Sequence, residues 1–491
     1  MKGILIFLLL YSFPLFSQTV YLPHEIEMAA EPMGGLNYLN QFITSNLKIP
    51  FKSTVKGINK KVYVKGIVEP DGSMSQLEIS RGIDSLCDQE AIRVLGLYKA
   101  WKPATVKGEK VRQTMVYPVS FRAQARPDFD STELAFINYF DKQFKPATDA
   151  ATYQYRHILP VDKNGYVNKD VVIEQLKNKK WKRMVTVPFL KKEIWHKTGY
   201  IENRMDSVRT YQISARDGNM ASFAAEATFQ LNGKLLALTD YNSEGKTSLI
   251  QEYDLKGMLR KTNTLSDSTD TEIRWHANGQ IQSVVERTVV IKAGETSETH
   301  YINRWEQDGT QRIKNGDGHW ESTGAELNGK TFIEEGNVVV GKKNGMWTGK
   351  FADSTLIYQE IYELGSFQEG FSMVNGEKIV YNEPVKQPHF KGGMAEFYKF
   401  LGTNIHYPME AARNRVKGRV FLSFVVCEDG SLCDYKVDKS AGPDLDSEAL
   451  RVVKKMNGMW EPGAVRGNKV RVKYNLPINF EVSFPPVSVS N

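Results

Sequence analysis

Two places in this 491-residue chain carry groups able to do chemistry. The first is backbone rather than side chain. The run Lys469–Leu476 alternates polar and apolar residues, so it reads as a strand. Such a strand at a sheet edge leaves a row of N–H and C=O groups unpaired. Arg471 and Lys473 would lie on the face opposite Val470, Val472 and Tyr474, with Asn475 and Leu476 continuing the alternation. From the residues alone two readings stand level: an edge guarded against aggregation by its lysines, or an edge open to another strand. The second place is the pair Cys427 and Cys433, which flanks the turn Glu428–Ser431. On facing strands in an oxidising compartment they would bridge; otherwise they are two small buried residues. Cys87, the third cysteine, falls on an apolar helix face and reads as core. None of the eight histidines pairs with a cysteine at zinc spacing, and no nucleophile elbow or phosphate loop is present. The expectation is therefore no catalytic site, no metal and no cofactor.

The elements that must position these groups occur twice. Near the C-terminus, Tyr407-Pro408 precedes an alternating strand through Val420, Leu422, Phe424 and Val426. Asp429-Gly430 turns the chain, since both residues tolerate positive φ. A helical pattern spans Asp446–Val453. Trp460-Glu461-Pro462 and Arg466-Gly467 follow, then a last strand over Lys469–Phe480. Near the N-terminus, Leu36, Leu39, Phe42, Ile43 and Leu47 form one helical face. A strand with Val62, Val64 and Val68 follows, then Pro70-Asp71-Gly72-Ser73, a return strand, a helix through Ala91, Ile92, Leu95 and Tyr98, and a strand over Val111–Phe121. Gly72 answers to Gly430 and Ala91 to Ala449, each offset by 358; Trp101 answers to Trp460, Gly108 to Gly467 and Phe121 to Phe480, each offset by 359. One inserted residue over that span marks an internal duplication.

The second copy resembles the C-terminal domain of the TonB energy-transducer family. The residues that carry the resemblance are Tyr407, Pro408, Gly418, Asp429, Gly430, Trp460, Pro462, Gly467 and Phe480 in their setting. The first copy matches less fully, with Ile49-Pro50 in place of Tyr407-Pro408. What the resemblance implies is an α+β fold at each end, a small antiparallel sheet packed on two helices. It also implies capture of an extended peptide of an outer-membrane TonB-dependent transporter as an added strand along Val470–Leu476. Inner-membrane proton-motor proteins are a further implied partner, and a second copy of the chain is an alternative one. The sequence departs from the family in having only 19 prolines, hence no Pro-rich spacer.

Between the copies an aromatic residue is followed four positions later by glycine at Phe229, Tyr241, Tyr253, Trp275, Trp305, Trp320 and Phe332. Composition alone gives roughly one such case in this span, so the pattern is a repeat. Each unit reads as strand, turn and strand. Lys342–Lys350 and Tyr362–Gly365 resemble the MORN repeat, which implies a mainly β hairpin module used as a scaffold. Plain packing explains the aromatic ladder; glycan binding on exposed Trp275, Trp305, Trp320 or Trp347 is the alternative.

The net charge of +7 is spread without a basic block, which argues against a nucleic-acid partner. Ile4–Phe16, after Lys2 and before Ser17, is too short for a membrane span and reads as a signal peptide cut near Ser17, hence a periplasmic protein. An uncut inner-membrane anchor facing the periplasm is the alternative. The expected division is signal peptide 1–17, first copy 30–122, linker 123–133, repeat module 134–380 and second copy 387–482.

Overall fold

The duplicated order of elements positions everything that follows. The computed structural model describes residues 19–201, 204–216, 224–242, 244–289, 297–327 and 330–481. The expected signal segment lies outside them. The chain is mostly β and divides into two compact units, Met1–Trp320 with Val340–Lys342, and Glu321–Val339 with Lys343–Asn491.

In the first unit, helices Leu36–Asn46 and Ser85–Leu97 pack on a sheet ordered Val20–Tyr21, Glu109–Ala123, Ile58–Val68, Met74–Arg81. Val62, Val64 and Val68 are fully buried, as the alternation predicts. The later helix begins at Asp84, whose carboxylate accepts from the Leu86 and Cys87 N–H groups. Ile49-Pro50 stops the first helix but also opens a short second one, Phe51–Lys56, which periodicity had not resolved.

The span expected as linker and early repeats holds a separate five-stranded antiparallel sheet, Phe129–Asp130 to Lys180–Val187. Beyond it the strands from Phe189–Ile201 to Gln311–Lys314 pair antiparallel, each with the next in sequence. Five of the seven aromatic–glycine motifs are the turns of this meander. Gly233, Gly245, Gly257, Gly279 and Gly309 all take positive φ, between 75° and 88°. Each donates its N–H to the carbonyl three residues back, as Gly257 does to Asp254. The other two differ. Trp320 and Gly324 share the strand Asp317–Leu327, and Phe332 and Gly336 share Lys330–Val339.

There glycine serves packing rather than turning. A Cβ on Gly336 would enter the Trp347 ring, one on Gly349 the Tyr358 ring, and one on Gly370 the Tyr381 ring. Gly349 and Gly370 lie directly opposite their aromatics across the strands. Each bare glycine lets a ring lie flat on the sheet. Three of the four rings named for glycan contact are therefore not available for it. Trp275, Trp305 and Trp347 are buried, and half-buried Trp320 lies against Tyr301 and the Arg304 guanidinium.

The first copy and the meander share one core. Tyr38 meets Trp305 at 4.6 Å between ring centroids, and Phe42 and Tyr98 close over Gly279. The buried Asn46 side chain accepts from the Leu259 N–H at 2.7 Å, and the Lys99 N–H donates to the Asn278 carbonyl at 2.7 Å.

In the second unit the strands from Lys330–Val339 to Glu377–Tyr381 lead into the second copy. Helices Gly393–Asn404 and Pro443–Lys455, with the short Met409–Arg413, pack on a sheet ordered Leu432–Lys439, Gly418–Val426, Val472–Phe480. Its core is Phe424, Trp460, Val452, Ile478 and their neighbours.

Candidate functional site

The candidate site is the outer rim of Val472–Phe480. This strand runs antiparallel to Gly418–Val426 along its whole length, from Gly418 opposite Phe480 to Val426 opposite Val472. Among the described residues no strand pairs with its other side. The expected single strand from Lys469 is in fact two. Asn468–Val470 closes a small hairpin on Gly463–Val465, and Arg471 breaks the chain between them. Of the predicted contact residues, Val472, Lys473, Tyr474, Asn475 and Leu476 thus lie on the rim strand, whereas Val470 belongs to the hairpin. Arg471 turns to Asp434, Nη2 to Oδ2 at 2.7 Å.

Pro477 sets the polarity of the rim. It has no N–H, yet it sits opposite Phe421 within continuous pairing. It must occupy a position whose backbone groups point away from Gly418–Val426. By alternation Lys473, Asn475 and Asn479 also point their N–H and C=O groups outward, while Val472, Tyr474 and Leu476 point theirs inward. The side chains follow the same two-residue period: Lys473 and Asn475 are exposed, Leu476 is buried. Tyr474 is half-buried, its ring 4.8 Å from Trp460 and 5.5 Å from Phe424. Burial raises its phenol pKa, and nearby Tyr398 adds to the rise.

The motif residues hold this strand in place. The Tyr407 hydroxyl donates to the Val416 carbonyl, and its ring meets Phe480 at 6.0 Å. Pro408 precedes the short helix as its cap. Gly418 leaves room for Ala441. Asp429 accepts from the Ser431 N–H at 2.9 Å and Oγ at 2.6 Å, which closes the turn. Gly430 has φ 83°, and a Cβ there would run into the Trp460 carbonyl oxygen, beside Pro462. Gly467, φ 74°, lies against Ile379 and Tyr381. Cys427 and Cys433 are joined as a disulfide across the turn.

One clamp escaped the sequence reading. Glu448 Oε1 accepts from the His406 N–H at 2.6 Å and binds Arg451, whose Nη2 donates to the Asn404 carbonyl at 2.7 Å. It ties the end of one helix to the other. Burial pushes the Glu448 carboxyl up, but Arg451 and the His406 N–H outweigh it and hold it below the usual range. Glu90, Arg93, Lys48 and Asn46 repeat the clamp in the first copy. A Glu-x-x-Arg at the same offset in both copies was the available signal.

Both ends thus share strands, helices, turn, tryptophan and clamp. Residues 48–123 and 403–482 each match the family model of the Gram-negative bacterial TonB protein C-terminal. The two copies are TonB C-terminal domains. No curated protein matches the chain. The TonB C-terminal family is a non-enzymatic one, concerned with energy transduction in envelope transport, and its general partners are outer-membrane TonB-dependent transporters. Among the described residues no helix is long and apolar enough to cross a membrane, and no group of three or more His, Cys, Asp and Glu has the placement of a metal site.

Proposed function

We propose that the second TonB C-terminal domain captures an extended peptide of an outer-membrane transporter by strand addition, in transport or its regulation from the periplasm. The observation that carries this reading is the uncovered rim at Lys473 and Asn475, which offers paired donors and acceptors at a two-residue spacing. A partner strand gains about 0.5–1.5 kcal/mol for each backbone bond. Pro477 interrupts the donor row between Asn475 and Asn479, so the unbroken pairing is short. The disulfide beside the rim suits an oxidising compartment. In this proposal the copies at 30–122 and 387–482 flank a repeat module that acts as a MORN-like scaffold.

Titration of a labelled transporter N-terminal peptide against the full chain tests it. Saturable binding below millimolar peptide, weakened by Lys473→Pro or Asn475→Pro, is expected. Absence of saturation, or binding indifferent to both substitutions, removes the reading.

A further inference from the structure

The first copy carries a rim of its own. The counterpart of Val472–Phe480 lies within Glu109–Ala123, at the offset of 359. On its inner side this strand pairs antiparallel with Ile58–Val68, from Ala123 opposite Ile58 to Gln113 opposite Val68. On its outer side, among the described residues, strands lie beside its beginning only. Ala104–Val106 stands opposite Glu109–Val111, and Val20–Tyr21 opposite Arg112–Gln113. From Thr114 onward no strand pairs there.

Pro118 fixes the polarity here as Pro477 does in the second copy. It has no N–H, yet it stands opposite Tyr63 inside continuous pairing. Its backbone groups therefore point outward. By alternation Thr114, Val116 and Ser120 point theirs the same way. Tyr21 reaches no further than Gln113, so the clear stretch runs from Val116 to Ser120. Val116 is 49% exposed, and Pro118 is exposed as well. The side chains set the two rims apart. Lys473 and Asn475 answer to Thr114 and Val116, and the run Thr114–Phe121 holds no charged residue. Edge strands are usually guarded by charge or proline against pairing with a foreign strand. Lys473 and Pro477 guard the second rim, whereas the first has Pro118 alone. Val116 and Pro118, with half-buried Tyr63 opposite Pro118, leave an apolar strip beside the rim. Such an edge favours an uncharged partner strand of β-branched residues.

We infer that the first TonB C-terminal domain is a second strand-accepting site, along Val116–Ser120, and that it takes an extended segment rich in valine, isoleucine and threonine. The inference rests on the reading of these rims as strand acceptors. The chain then holds two extended segments at once, and its two rims differ in what they select. The first rim stands on a fixed base, because Tyr38 on Trp305 and Asn46 on Leu259 seat its domain on the meander.

The test uses the full chain with Lys473→Pro and Asn475→Pro, which close the second rim. The probe is a fluorescein-labelled peptide of four valine–threonine repeats between terminal lysines. One equivalent is expected to bind saturably, and Val116→Pro, which removes an outward N–H, should weaken it about tenfold. No saturable binding, or binding indifferent to Val116→Pro, overturns the inference. A probe with glutamate in place of every valine should bind about tenfold more weakly, and equal binding overturns the assigned ligand class. If the Val116→Pro chain does not fold, hydrogen exchange at the Val116 and Ser120 amides decides. Saturating probe should slow both about tenfold, and unchanged rates overturn the inference. Transporter peptide that binds the unmodified chain, while the closed-rim chain holds no probe, leaves the second site standing and removes the first. Probe held by the closed-rim chain, with no transporter peptide on the unmodified one, does the reverse.

Discussion

Whether a residue on the rim strand serves the domain or a partner is decided by which way its backbone points. Val472 aims its N–H at Gly418–Val426, whereas Asn475 aims its N–H outward. Val472→Pro is therefore expected to lower the stability of the second copy by roughly 1–3 kcal/mol, read as a shifted denaturant midpoint. Asn475→Pro should leave that midpoint nearly unchanged while weakening peptide binding about tenfold, the equivalent of about 1.4 kcal/mol. A proline scan that shows the reverse would place the polarity of the strand wrongly. Gly430 is the other telling residue. Its φ of 83° and the Trp460 carbonyl oxygen beside it leave no room for a side chain. Gly430→Ala should cost on the order of 1–3 kcal/mol, checked by the same midpoint.

Among the elements, the turn beside the rim shows two solutions to one problem. In the first copy Glu69 binds Arg112 through both oxygens at 2.8 Å and also accepts from the Ser75 hydroxyl. In the second copy Cys427 and Cys433 stand at the positions of Glu69 and Ser75, offset by 358, and bridge. Arg471, released from a carboxylate there, moves to Asp434. Reduction should thus destabilise the second copy by about 2 kcal/mol and leave the first untouched, read by melting with and without reductant. At this turn, acid should act on the first copy's Glu69–Arg112 pair. Its hydrogen bond to Arg112 holds the Glu69 carboxyl below the usual range. A depressed folded pKa stabilises above the ordinary carboxylate value, about 4.3, and that contribution is lost as pH falls through the folded value. Melting temperature should therefore drop below about pH 4, and Glu69→Gln should make that drop shallower.

At the level of the whole molecule, the first unit is not a domain beside a scaffold but a single core built from both. Helix residue Phe42 and meander residues Trp275 and Trp305 belong to one buried cluster, and half-buried Tyr38 packs against it. Trp305→Ala lies far from the first copy in sequence, yet it should destabilise that copy by about 3–5 kcal/mol, in one cooperative transition followed by hydrogen exchange of Ser85–Leu97. Separate loss of the meander, with the helix still protected, would show the two parts to be independent. The second copy meets its repeats through a different surface. Arg466, in the turn of the small hairpin, binds the buried Glu360 at 2.8 Å and lies over the Tyr358 ring at 3.5 Å. Its helix Gly393–Asn404 leaves Met394 and Tyr398 exposed.

The amino-acid order by itself determined the local pattern. Alternating Val62, Val64 and Val68, the Asp429-Gly430 turn and the 358-residue offset are properties of neighbours along the chain, so they are legible without coordinates. So were the meander turns at Gly233 to Gly309, whereas the sequence left Cys427 and Cys433, six residues apart, open between a bridge and two buried thiols. What lies across the outer side of a strand is not such a property. Val20 on Arg112, the open row at Lys473 and Asn475, and glycines that seat rings rather than turn the chain depend on contacts between distant segments. Their energies are each about 1 kcal/mol and are chosen by packing, so tertiary structure alone decided them.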